Sequence, residues 1–137
     1  MKYMIMLYGT QRDYDAMAGK DVGSPWTAED LAAMGAFMDA FNKELMDSGE
    51  LVDARGLAAP ALTRRLRLQG GVPVVTDGPY PESTELLAGY MIIECDSLER
   101  ATEIAARITD CPGPAEVRET AYVDLRPVVD GRGDVRG

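Results

Sequence analysis

Apolar residues along this chain recur at two different spacings, and the switch between them marks out the elements. Lys2 to Tyr8 is almost continuously apolar, the composition of a strand covered on both faces. Thr10 to Pro25 mixes Gly, Asp and Ser with no period and predicts a long loop. From Thr27 the spacing becomes three and four. Leu31, Met34, Met38, Phe41 and Leu45 form one stripe of a helix. Thr27 is a good N-cap with Asp30 three residues on, and Gly49 suits the left-handed position past the last turn.

Glu50 to Leu57 predicts a second strand, interrupted by Ala58-Ala59-Pro60. Ala61 to Leu68 then alternates. Leu62, Leu66 and Leu68 fall on one parity with Arg64 as the exception, and Thr63, Arg65 and Arg67 fall on the other, a half-exposed strand. Gln69-Gly70-Gly71 predicts a hairpin turn and Val72 to Thr76 the returning strand, which Asp77-Gly78-Pro79 ends. Pro81 to Leu87 is expected to be a short helical or turn segment, and Gly89 to Cys95 another covered strand. Ser97 caps a second helix whose inner stripe is Leu98, Ala101, Ile104, Ala105 and Ile108. A tight connection at Asp110 to Pro114 leads to a last strand expected from Glu116 to Pro127.

The order is β-α-β, a hairpin, then β-α-β. With the hairpin set aside, this is the split βαβ pattern of a ferredoxin-like α+β fold, with two helices on one face of an antiparallel sheet. The first and fifth strands are apolar on both parities, so the other face also needs cover. A second copy of the sheet is the simplest cover, which predicts a two-fold symmetric homodimer. One domain is expected over residues 1–128, with a Gly- and charge-rich, disordered tail at 129–137.

Composition narrows the function classes. A chain of 137 residues with 46% hydrophobic content fits one domain with a real core. The net charge of −9 argues against nucleic acid and against an anionic membrane surface as partners. No apolar run approaches the roughly 20 residues that span a bilayer. The N-terminus lacks the apolar stretch and cleavage site of a signal peptide, so a cytoplasmic location is expected. Two cysteines without a secretory signal read as reduced thiols, Cys95 in the core and Cys111 beside Pro112. There is no histidine, which removes Cys/His zinc sites and the Ser-His-Asp triad. No metal and no cofactor are expected. Any proton transfer must use Asp, Glu, Tyr, Lys, Cys or bound water.

The run Thr76-Asp77-Gly78-Pro79-Tyr80-Pro81-Glu82-Ser83-Thr84-Glu85-Leu86-Leu87-Ala88-Gly89-Tyr90 resembles the central motif of the YCII-related, or DGPF-domain, proteins. That motif is an Asp-Gly-Pro-aromatic turn, a Glu-containing stretch, then Gly-Gly-aromatic leading into an apolar strand. Lys2 to Gly9, Ala40 to Leu45, Gly56 to Pro60 and Glu116-Val117-Arg118 are similar to the family as well, so the resemblance covers residues 1–128. It implies a dimeric α+β barrel and a small-molecule-binding dimer, with an association with sigma-factor-like transcription regulators. The alternative it implies is a cofactor-independent lyase or isomerase, of the dehydrochlorinase or muconolactone-isomerase kind, using a His–Asp pair. This chain keeps the Asp as Asp77 and has no His. It has Tyr80 where Phe is usual, Thr84 where Lys is common and Ala88 where the first Gly stands.

Asp77 therefore has two readings, a carboxylate closing the Asp-Gly-Pro turn or a catalytic acid–base in a cleft. Four residues are candidates for ligand binding. The Tyr8 hydroxyl could line a pocket mouth at the end of the first strand. Arg55 could hold an anion or pair with an acid such as Asp77. Tyr80 could offer its hydroxyl or pack at the dimer seam. Glu82 could meet a ligand or be a solvated acid at a helix start. Arg64-Arg65-Leu66-Arg67 reads as basic decoration of an exposed hairpin. Trp26 reads as a staple against the first helical turn or as a lid.

Overall fold

The computed structural model describes residues 1–129, so the tail expected at 129–137 lies, beyond Val129, outside the described residues. In chain order the elements are β1 (Lys2–Gly9), α1 (Gln11–Met17), α2 (Ala28–Ser48), β2 (Leu51–Gly56), a 3₁₀ turn (Pro60–Leu62), β3 (Arg64–Gln69), β4 (Val72–Asp77), β5 (Leu86–Glu94), α3 (Leu98–Ile108), α4 (Ala115–Arg118) and β6 (Asp124–Val128). This is a mixed α+β chain with antiparallel strand pairing. It divides into two compact units: residues 1–7, 25–56 and 89 onward form one, and Tyr8–Ser24 with Leu57–Ala88 form the other.

The first unit is built on a four-stranded sheet of order β2-β5-β1-β6. β1 pairs antiparallel with β6, Tyr3 opposite Pro127 and Ile5 opposite Leu125. β2 pairs antiparallel with β5 through a bulge between Leu51 and Asp53. Strand alternation sends Tyr3, Ile5, Met91 and Ile93 to one face, where they are buried with Phe41 and Leu45 of α2 and Ala101, Ile104, Ala105 and Ile108 of α3. Cys95 joins the same core. The residues between them, Met4, Met6, Tyr90 and Ile92, stand on the opposite face and are half-buried.

Both long helices start as their caps predict. The Thr27 hydroxyl accepts from the Asp30 amide, and the Asp30 carboxylate accepts from the Thr27 amide, each at 3.1 Å. The Ser97 hydroxyl accepts from the Arg100 amide at 3.0 Å. Two arginines of α3 reach acids nearer the N-terminus. Arg100 grips Glu50 with Nε and Nη2 at 2.9 and 2.8 Å, and Arg107 forks onto Glu44 while its guanidinium lies 5.1 Å from the Phe41 ring centre.

Two expectations change in this unit. Leu98 opens α3 outside the buried stripe and is 57% exposed. The last strand starts at Asp124, not Glu116. Pro114 accepts from the Val117 and Arg118 amides and turns that stretch into the short helix α4. Trp26 lies against Gly113, whose α-carbon leaves no more than 3.0 Å for a methyl group beneath the indole, so Trp26 packs on the connection after α3.

The second unit holds the hairpin and a helix where a loop was expected. Thr10 and Asp13 form a reciprocal capping box, at 2.9 and 3.1 Å, that nucleates α1. Arg12 of α1 then ties down the following segment through the carbonyls of Val22 and Gly23, both at 2.9 Å. Gly70 and Gly71 have φ of +59° and +80°, so the turn between β3 and β4 needs two residues without a Cβ, as a two-residue hairpin loop does. Register places Arg64, Leu66, Leu68, Pro73, Val75 and Asp77 on one face and Arg65, Arg67, Val72, Val74 and Thr76 on the other. The apolar face of the hairpin is not buried: Leu66 is 65% exposed, Leu68 74% and Val75 53%. Pro81 to Glu85 is a turn, closed by the Thr84 amide on the Pro81 carbonyl at 3.1 Å.

Candidate functional site

The Asp77-Gly78-Pro79-Tyr80 turn is shaped by its glycine. Gly78 has φ of +52°, and a Cβ there would stand 3.1 Å from the Ala61 carbonyl oxygen. Its amide donates to the Thr63 carbonyl at 2.8 Å, closing the end of β4 onto the segment that precedes β3. The Asp77 side chain takes no part in that closure. It pairs across the strands with Arg64, Oδ1 to Nε at 3.0 Å, with both side chains above 70% exposed. The charge that breaks the alternation of β3 is thereby matched by the acid directly opposite it.

Past the turn, Tyr80 is half-buried. Arg65 lays its guanidinium over the ring, 4.8 Å from the ring centre, and donates from Nη2 to the phenolic oxygen at 2.6 Å. A cleft of about 260 Å³ is lined by Tyr80 with Leu57, Ala58, Pro60, Thr63, Leu86 and Leu87. Its walls are mostly aliphatic, and Thr63 and Tyr80 are the lining residues that carry hydroxyls. Two of its walls are tied together by backbone. The Leu57 amide donates to the Ala88 carbonyl at 2.8 Å, and the Tyr14 hydroxyl reaches the carbonyls of Leu57 at 2.8 Å and Ala88 at 3.2 Å. Burial, helped by the nearby Asp13 charge, raises the Tyr14 pKa, which keeps the phenol protonated as a donor.

The other expected site residues fall elsewhere. Asp77 is not among the residues lining this cleft. Tyr8 is half-buried near the end of β1. Glu82 is exposed, and its carbonyl accepts from the Arg12 amide at 3.3 Å. Arg55 belongs to the first unit, where it pairs with Asp53 at 3.2 Å. Among the described residues there is no cluster of acids and cysteines able to hold a metal ion, and no helix is long and apolar enough to cross a membrane. Arg65 was read from sequence as decoration of the hairpin, and Tyr14 and the aliphatic walls were not singled out. The signal for Arg65 was its parity: it shares a face with Thr76, one step from the turn. The signal for Tyr14 was the Thr10…Asp13 capping box.

An uncharacterised protein of Rhizobium meliloti (strain 1021) is 27% identical over 124 residues, 88% of this chain and 93% of that protein. The YCII-related domain matches residues 1–121, which include β1, β2 and β5 of the sheet, the hairpin and the turn that carries Tyr80. The chain belongs to the YCII-related domain family.

Proposed function

We propose that this chain is a small-molecule-binding homodimer whose ligand sits in the cleft beside Tyr80. The observation that carries this reading is the pairing of an aliphatic cleft with an arginine-clamped tyrosine at its wall. Ligand sites combine apolar walls with a few fixed polar groups in this way. At about 260 Å³ the cleft lies near the lower end of such pockets and suits a small metabolite. Arg65 is not itself among the lining residues, but it donates to the Tyr80 phenolic oxygen, which leaves the Tyr80 hydroxyl hydrogen to donate beside a positive charge, so a small apolar acid is the ligand class favoured. Asp77, exposed and paired with Arg64, stands apart from the lining, which favours binding over acid–base chemistry in this cleft.

The strand order β2-β5-β1-β6 supports a ferredoxin-like split βαβ for the first unit. Met4, Met6, Tyr90 and Ile92, on the face away from the helices, support a second copy packed there as in a dimeric α+β barrel. Register puts charges of both signs around them, Asp53 and Arg55 on β2 and Asp124 and Arg126 on β6, as a self-complementary contact needs.

The test is a thermal-shift and calorimetric screen of small aliphatic and aromatic carboxylic acids on the wild type, Tyr80→Phe and Arg65→Gln. Binding raises the melting temperature in proportion to the logarithm of ligand concentration. The expected result is stabilisation of the wild type that is weakened about tenfold in affinity by Arg65→Gln. No stabilisation by any acid at millimolar concentration, or equal stabilisation of all three proteins, refutes the reading. Light scattering at low micromolar concentration is expected to give twice the 14.8 kDa chain mass, and Ile92→Lys is expected to lower it to one.

A further inference from the structure

The hairpin β3–β4 presents Leu66, Leu68, Pro73 and Val75 on one face, all largely exposed. An isolated two-stranded hairpin is marginal in water, and a contiguous apolar face on it points to an interaction. The charges on the hairpin narrow the partner. From tip to base, the cross-strand pairs on the apolar face are Leu68 with Pro73, Leu66 with Val75 and Arg64 with Asp77. The base thus carries one positive and one negative side chain, both exposed. The opposite face carries Arg65 and Arg67 and no acid, so stacking it on itself would set like charges together.

A two-fold axis running along the hairpin sets β3 of one copy over β4 of the other. Leu66 then faces the partner's Val75, Leu68 faces the partner's Pro73, and Arg64 faces the partner's Asp77. Every contact is matched twice, as an isologous interface requires. Packed sheets lie about 10 Å apart, a gap that an arginine reaching toward an aspartate spans.

We propose that the Leu66–Leu68–Pro73–Val75 face docks on the same face of a second copy, with each Arg64 over the partner's Asp77. The patch is smaller than the roughly 800 Å² per partner of a stable interface, so the contact forms at high protein concentration or alongside a larger one.

The experiment is sedimentation velocity on the full chain from about 10 µM to about 1 mM, a range that brackets weak association. Leu66→Asp is expected to abolish the concentration-dependent step, and Arg67→Asp, on the opposite face, to leave it. Arg64→Asp and Asp77→Arg each set like charges across the contact, and each alone is expected to weaken association about tenfold. An equimolar mixture of these two variants restores opposite charges across the contact, although each hairpin still carries like charges. Association that returns only in the mixture supports the proposal, because a defect confined to one hairpin is not repaired by mixing. A wild type with no such step, a Leu66→Asp protein identical to wild type, or a mixture no better than its components overturns it. Ile92→Lys reports separately on the sheet face, so the two contacts fail independently.

Discussion

Replacing Gly78 by alanine tests how the motif turn is held. Two separate penalties follow from the structure. The backbone at Gly78 is left-handed, with φ of +52°, which costs a residue with a Cβ about 1–2 kcal/mol. The added methyl would meet the Ala61 carbonyl oxygen at 3.1 Å, a backbone atom that gives way only by moving the segment before β3. Mild overpacking of this kind costs about 1 kcal/mol. The sum is a loss of about 2–3 kcal/mol. At a urea slope of about 1.5 kcal/mol per molar, the unfolding midpoint falls by about 1.3–2 M. Gly78→Asn separates the two penalties. Asparagine tolerates the left-handed region but carries the same Cβ, so its loss is expected near 1 kcal/mol. The assay is urea unfolding followed by far-ultraviolet circular dichroism, with the slope checked for constancy. A loss under about 0.5 kcal/mol for alanine at unchanged slope, or an asparagine variant worse than alanine, refutes the reasoning.

Two further predictions concern the first unit. Ile104 has no exposed surface and packs between sheet and helices, so Ile104→Ala is expected to cost about 2–5 kcal/mol, read by the same unfolding assay. Glu50 is held below the ordinary carboxylate pKa, first by its hydrogen bonds from Arg100 and then by the Ser48 hydroxyl against an opposing desolvation. Its contribution is therefore complete above the unfolded value of about 4.5 and is lost as pH falls through the lower folded value. Stability measured from about pH 6 to pH 3 is expected to fall less steeply in Glu50→Gln than in wild type. Identical slopes would show that the Arg100–Glu50 contact adds nothing to folding.

The two long helices were legible because capping and periodicity agreed. Thr27 with Asp30 marked one start, Ser97 the other, and Phe41, Leu45, Ile104 and Ile108 recur on buried stripes. Helix α1 was not legible because none of its residues is buried, so no stripe marks it. Its one cue, a threonine and an aspartate three apart, is weak without a period behind it. The strand expected from Glu116 failed for a related reason. Val117 and Ala121 fit a loose alternation, but Pro114 starts a local turn whose carbonyl captures the next amides. The motif turn itself was readable from Asp-Gly-Pro. The partner of Tyr80 was not, because a run of arginines reads as solvated decoration until pairing divides it. Register sends Arg64 to Asp77 and Arg65 to the tyrosine, and these are opposite faces of one strand.

The outermost strand β6 is only five residues long and reads Asp-Leu-Arg-Pro-Val. An acid, a base and a proline that lacks an amide hydrogen make it a poor template for a further strand. Lateral growth of the sheet is blocked on that flank, which guards a chain with covered, apolar inner strands against amyloid-like stacking.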